Sequence, residues 1–397
     1  MSVRDRVREN ESEFIGIRRK IHENPELSFK EFETTKLIKA YLDDLGIENH
    51  PNGEDTGVIG ILRGKKDGPV LALRADIDAL KLTEKTGLPF ASKNEGVCHA
   101  CGHDLHTAVL LGTAKILKSY EDDLCGTVKF LFQPAEEGLG GSRSMIKNGA
   151  LKNPVPKYIL ACHSWPEMPA GSIGVRYGAM LGASDTFKIT VTGKGGHAAH
   201  PHKGIDPVVV AAYIITELQT IVSRRIAPVD SAVITVGHLE AGTVSNIIPN
   251  EAFMEGTVRT QDPTTRKKVA VYMEQLAVGT ARAMGADAKV EYNFGVGPTI
   301  SDHHIVDEIS AAVTETLGAE HLLQVPHASM GAEDFAFYLE KVPGALFRLG
   351  TYDDRPESKW ALHNPSTLFA EEAIPTGVTA MVASVFKING CDMSVLK

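Results

Sequence analysis

The sequence predicts an α/β protein of two domains, a mostly parallel sheet flanked by helices with a β-α-β-β-α-β unit inserted into it. Three observations carry this. At 397 residues the chain exceeds the roughly 250–300 residues at which one hydrophobic core splits into domains. Its flanking parts alternate helical apolar periodicity with short runs that are apolar at nearly every position, the pattern of strands covered on both faces. Its middle spells strand, helix, two strands, helix and strand, a complete ferredoxin-like unit.

The elements follow in order. Residues 4–21 place Val7, Phe14, Ile15, Ile17 and Ile21 near one helical face, and residues 31–45 do the same with Phe32, Leu37, Ile38, Tyr41, Leu42 and Leu45. Asn24-Pro25 breaks the two helices apart. Strands are expected at Val70–Ala75, Thr127–Phe132 and Tyr158–Cys162, the last stopped by Ser164-Trp165-Pro166, with helices at 104–119 and 140–149 between them. The insertion reads as strand 186–192, helix 206–224, strands 231–237 and 251–260, helix 263–284 and strand 288–294. Helices at 304–318 and 332–340, a strand at 345–349 and a helix at 370–388 then return to the first style. Residues 1–182 and 296–397 are therefore expected to form one discontinuous domain and 183–295 the other.

Composition narrows the class. A charged fraction of 23% and an apolar fraction of 43% are ordinary for a globular enzyme and exclude disordered or collagen-like chains. With a net charge of -9 and no dense basic run, nucleic acid is not an expected partner. No apolar run approaches the about 18 residues of a membrane span, and the start MSVRDRVREN lacks a secretory signal. Five cysteines, an odd number in a long chain, fit a reducing compartment. A cytoplasmic protein is expected.

Chemistry concentrates in Cys98–His106, which holds three imidazoles, two thiols and a carboxylate within nine positions. Cys101 and His103, two apart where loop becomes helix, can point into one metal site, and Gly102 would let the backbone approach a cation closely. Further ligands are expected at the carboxyl ends of other strands, where open α/β sheets build their sites. Three ends qualify: Asp76-Ile77-Asp78, whose spacing puts both carboxylates on one side; Glu136-Glu137; and His163. On an extended chain Glu136 and Glu137 diverge, so one can ligate metal while the other serves as base to a metal-activated water. Two cations could share a bridging thiolate.

Each feature alone has a plainer reading. Cys98-x-x-Cys101 could be a redox pair or half of a structural zinc site, in a protein that is not an enzyme. His163 could be an ordinary core histidine, Asp76 and Asp78 turn or capping residues, and Glu136-Glu137 a solvated pair at a helix start. Their coincidence at successive strand ends is the signal.

Taken together, RRKIHENPELSFKEFETT (18–35), LRADIDAL (73–80), HACGHDLHTA (99–108), FQPAEEG (132–138), GGHAAHPHKGIDPV (195–208), NIIPN (246–250), GTVR (256–259), MGAEDFAFY (330–338) and LHNP (362–365) resemble the M20 clan of metallopeptidases and amidohydrolases. The likeness is to the clan's subfamily of hippurate hydrolases, N-acyl amino acid deacylases and auxin-conjugate amidohydrolases, and runs nearly end to end.

The resemblance implies a zinc-peptidase-like catalytic domain on a mixed, mostly parallel sheet and an inserted lid and dimerisation domain through which the chain would form a homodimer. It implies two divalent metals, manganese or zinc ahead of cobalt or nickel, held by Cys101, His103, Glu137, His163 and His363, with Cys101 bridging and Glu136 as general acid/base. His363 comes from the resemblance alone. So do His197 for the oxyanion and Asn246 and Arg259 for a substrate carboxylate; without the family, Arg259 reads as a strand-face salt bridge. Asp76 and Asp78 stand where many relatives have His-x-Asp, and with Glu333 they would orient ligands from behind; Glu333 and Asp334 could start a helix. The implied reaction is hydrolysis of an N-acyl amino acid, with a dipeptidase or metallocarboxypeptidase as the alternative.

Overall fold

The computed structural model describes residues 1–138 and 140–397. Its elements run α1 (Val3–Glu9), α2 (Glu11–Glu23), α3 (Phe32–Asp44), β1 (Glu48–Pro51), β2 (Val58–Arg63), β3 (Lys66–Asp76), α4 (His103–Ser119), β4 (Cys125–Gln133), α5 (Gly141–Lys147), β5 (Tyr158–Pro169) and β6 (Ile173–Val175). Then come β7 (Gly178–Leu181), β8 (Ala183–Thr192), β9 (Gly196–His197), α6 (Pro207–Thr220), β10 (Ala232–Ala241), β11 (Ile247–Ile248), β12 (Glu251–Thr260), α7 (Pro263–Ala283), β13 (Asp287–Val296) and β14 (Thr299–Ser301). The chain closes with α8 (His303–Thr316), β15 (Leu322–Gln324), α9 (Ala336–Leu339), β16 (Gly344–Tyr352) and α10 (Ala373–Ile388). Two compact units result, one of residues 1–178, 300–327 and 334–397, the other of 179–299 and 328–333.

The first unit is built on an eight-stranded mixed sheet in the order β1-β2-β4-β3-β5-β16-β6-β15. Its centre is parallel, β3 pairing with β4 and β5, and β5 with β16. The carboxyl ends of β3, β4 and β5 therefore open on one edge. Helix α4 is buried along nearly its whole length, as expected of a helix whose apolar residues go all the way round. In the second unit β10-β12-β8-β13 form an antiparallel sheet. Its own core joins Phe187, Ile189 and Val191 to Ile214 and Leu218 of α6 and Met273 of α7. Among the described residues no helix is long and apolar enough to cross a membrane.

Four local expectations are corrected. The helix read over 4–21 is two helices, because the Asn10 side chain bonds the Arg6 carbonyl at 2.8 Å and ends α1, the local competition with helix that asparagine offers. Strand β5 does not stop at Cys162 but continues through Pro166 to Pro169. Its pairing with β3 ends at Ala161, and a register shift against β16 follows Gly350, so the missing proline N–H breaks no ladder. The helix expected over 332–340 is reduced to 336–339, because Asp334 is drawn into a buried charge network. Strands β1, β2, β6 and β15 were not anticipated; Gly60 interrupts the apolar pattern of β2.

Candidate metal centre

Four side chains from separate parts of the first unit converge above the strand ends. Cys101 comes from the loop leading into α4, His103 is the first residue of that helix, Glu137 comes from the turn after β4 and His163 from β5. His363 joins them from a loop, its backbone N–H bonded to the Ala100 carbonyl at 2.9 Å. Their donor atoms fall into two groups within 4.8 Å, Cys101–His103–His163 and Cys101–Glu137–His363. Cys101 belongs to both. His363 adopts φ 64°, a left-handed conformation uncommon outside glycine and a form of strain that clusters at functional sites.

The imidazoles are oriented from behind. His103 Nδ1 donates to the Asp78 carbonyl at 2.9 Å and His163 Nδ1 to that of Ser164 at 2.8 Å. These bonds fix both rings with Nε2 turned toward the cluster, the arrangement typical of metal-bound histidine. Burial lowers the His103 imidazole, but Asp76 and Cys101 outweigh it and hold it well above its ordinary value, so its Nε2 offers a lone pair only once a cation displaces a proton. His103 Nε2 and Glu137 Oε1 are buried and make no hydrogen bond. A set of thiolate, imidazole and carboxylate fits zinc, manganese, cobalt or nickel.

Burial opposes charge on Asp76, yet His103, Arg74 and His106 hold its carboxyl well below the usual range. Burial pushes His163 well below the ordinary imidazole value, with His106 adding to it, so His163 is neutral, the ligating form. Burial raises the Cys101 thiol, whereas the neighbouring Cys101 thiol and Glu137 carboxylate push His363 up to about 10, its Nε2 lying 3.4 Å from Glu137 Oε1. These two directions compete for one proton. The burial of Cys101 carries more weight, because the His363 side chain is about half exposed. Cation binding at such a set releases protons.

Glu136 and Glu137 lie in a turn rather than on an extended chain, which corrects the premise that they must diverge. Both carboxylates come within 4.0 Å of His103 Nε2. Their amides are held by one buried residue, Glu136 N–H donating to Asp78 Oδ1 at 3.0 Å and Glu137 N–H to Asp78 Oδ2 at 3.1 Å. Gly102 adopts φ 88° at the start of α4. The close approach expected of it is to Ser164, since an added Cβ would lie 2.4 Å from Ser164 Oγ.

Other members of the histidine-rich cluster are committed elsewhere. His106 Nδ1 donates to Asp76 Oδ1 at 2.6 Å and its Nε2 accepts from the Ser164 N–H at 2.7 Å, which uses both nitrogens. His99 is buried outside the donor groups. Cys98 also joins none of them, and burial pushes its thiol up to about 12, making it a poor nucleophile for redox exchange. All five cysteines are free and buried.

A fully buried network lay outside the sequence reading. Arg74 donates to Gln133 at 2.9 Å, to Asp76 at 2.7 Å and to Asp334 at 3.0 Å. Asp334 also accepts from Gln133 Nε2 and the Ser142 N–H. A charged residue inside the apolar run LALRAD was the available signal, because a buried guanidinium demands partners.

The remaining candidates belong to the second unit. His197 on β9 pairs with Ile247 on β11, and the Asn246 carbonyl accepts from Ala198 N–H at 3.1 Å, so His197 and Asn246 share one short ladder. Arg259 sits on β12 opposite Val233 and Ser184. Among the described residues its guanidinium bonds the Val258 carbonyl and no carboxylate, unlike a strand-face salt bridge. Glu333 is buried in the 328–333 segment.

Comparison with known proteins adds three findings. The model of Peptidase family M20/M25/M40 matches residues 72–387. The chain is 42% identical to an N-acetyl-L-cysteine deacetylase of Bacillus subtilis, over 92% of this chain and 85% of that protein, and 39% identical to thermostable carboxypeptidase 1 of Saccharolobus solfataricus, over 98% of each. A crystal structure from Bacillus subtilis, of a dinuclear metal binding peptidase from the M20 family, superposes with a TM-score of 0.85 at 37% identity, over 98% of this chain and 99% of that one.

Proposed function

Because the chain belongs to Peptidase family M20/M25/M40, we propose that this hydrolase cleaves the amide bond of N-acyl amino acids, releasing a carboxylic acid and a free amino acid. The observation that carries the reading is the pair of donor groups sharing Cys101, with His103 Nε2 and Glu137 Oε1 buried and free of hydrogen bonds. In this reading Cys101, His103 and His163 hold one divalent metal and Cys101, Glu137 and His363 the other. When bound, the pair would supply Lewis acidity to the scissile carbonyl and to an attacking water.

The chain's own residues divide the rest of the work. Glu136 accepts a proton from the attacking water and delivers it to the leaving amine nitrogen. His197 donates a hydrogen bond to the developing oxyanion, and Arg259 with Asn246 reads the carboxylate of the departing amino acid. Asp76, Asp78 and Glu333 orient these groups. The second unit would act as lid and homodimer contact. Manganese or zinc is the proposed metal, with cobalt or nickel chemically admissible. Five free, buried cysteines support a reducing, cytoplasmic location.

Acetyl is the proposed acyl group, because the relative from Bacillus subtilis is an N-acetyl-L-cysteine deacetylase. A carboxypeptidase reading is favoured by one observation, the 39% identical relative from Saccharolobus solfataricus. Initial rates on matched N-acetyl amino acids, N-benzoyl amino acids and dipeptides separate the two. Faster release from dipeptides than from every N-acyl substrate would replace the deacylase reading with the carboxypeptidase one.

A further inference from the structure

Ala135, immediately before Glu136 and Glu137, adopts φ 49°, a left-handed conformation that crowds the Cβ of an L-residue against the following carbonyl oxygen. Such strain persists only where the surroundings over-determine it. Here three successive amides are each captured by a buried carboxylate. Asp78 takes those of Glu136 and Glu137, and Glu31 Oε1 accepts from the Ala135 N–H at 2.9 Å.

Glu31 is unusual in its own right. It sits at the N-cap position of α3 but does not cap it. That task falls to Glu26, which accepts from the Glu33 and Thr34 N–H groups at 3.0 and 2.8 Å. Released from capping, the Glu31 side chain turns inward, is fully buried, and takes the Thr56 hydroxyl on Oε2. Among the described residues no cation pairs with it, and burial pushes its carboxyl up to about 7 against the hydrogen bonds from Thr56 and Ala135. An unpaired buried carboxylate costs stability, so packing alone is a poor reason for it.

We propose that Glu31 is a positioning residue, whose Oε1 fixes the strained Ala135 amide and so sets where Glu136 and Glu137 point. This rests on the roles proposed for those two carboxylates. What matters is an acceptor at the reach of a glutamate side chain, so Gln can replace it and the shorter Asp cannot.

The test compares full-length wild type with Glu31→Gln, Glu31→Asp and Glu31→Met, each loaded with manganese or zinc. Metal affinity is read by chelator competition, kcat and KM on the best N-acetyl amino acid, and folding by thermal unfolding. Asp and Met variants are expected to lose about 10- to 100-fold in kcat and in affinity for the more weakly held metal, while Gln stays within about threefold, as removal of a ligand-orienting partner predicts. A folded Asp variant with wild-type affinity and kcat would overturn the proposal, as would a Gln variant as impaired as Met. Should Met fail to fold, Asp and Gln decide. If the wild type hydrolyses nothing, the deacylase reading fails, and the metal affinities of Asp and Gln still judge Glu31.

Discussion

Replacing Arg74 by methionine tests whether the buried charge network holds the strand ends that carry the site. Arg74 and its partners Asp76 and Asp334 are all shielded from solvent, so Arg74→Met strips a cation from two buried carboxylates while nearly conserving volume. Breaking a buried pair from one side costs about 3–5 kcal/mol. For a domain this large about 2 °C of thermal midpoint is lost per kcal/mol, so the variant should unfold roughly 6–10 °C below wild type. Adding Asp334→Asn neutralises one stranded carboxylate yet keeps an oxygen for the Ser142 N–H, so the double variant should recover part of the loss. Thermal unfolding followed by circular dichroism, with both metals present, reads both effects. A single-variant loss under about 1 kcal/mol, or a double variant destabilised by the sum of the two singles, would refute the unpaired-charge argument.

Other variants probe the reaction and its supports. Glu136→Gln should lower kcat by about 10²–10⁴ with metal content unchanged by elemental analysis, whereas Cys101→Ala should lose metal from both positions. Arg259→Ala should raise KM about 10- to 100-fold for substrates with a free carboxylate, the loss of a charge-assisted hydrogen bond of about 1.5–3 kcal/mol, and leave carboxyl-amidated analogues unaffected in competition assays. His22 supplies a pH test. Burial opposes its charge, but Asp104 and Glu84 outweigh it and raise the imidazole to about 9. Since that lies above the unfolded value, its contribution, of order 3 kcal/mol, is present below about pH 6.5 and lost as pH rises through about 9. Denaturant unfolding of wild type and His22→Gln should show a wild-type advantage at pH 6 that has shrunk by pH 10; a constant advantage would contradict it.

What the sequence made legible follows from how local each signal is. The parallel-sheet strands announce themselves as apolar runs, and Cys101, His103, Glu137 and His163 sit where such runs end or a helix begins. The β-α-β-β-α-β order of the insertion is likewise a matter of consecutive periodicities. Long-range contacts leave no such trace. His363 reaches the cluster through a backbone bond to Ala100, and nothing near LHNP signals it. Arg74 meets Asp334 260 residues away, and the same network shortened the helix expected at 332. Strand β5 runs past Pro166 only because its neighbour β3 has already stopped pairing, which no local propensity contains.

Hydrolysis of an N-acyl amino acid, activated by two metals that share Cys101, is the proposed reaction. Its most direct test is metal content by elemental analysis of the purified protein, paired with amine release from N-acetyl, N-benzoyl and dipeptide substrates before and after chelation and after restoring manganese or zinc. Close to two metals per chain are expected, with release that disappears with the metal and returns with it and turnover fastest on an N-acetyl amino acid. One tightly held zinc with no release from any substrate would contradict it.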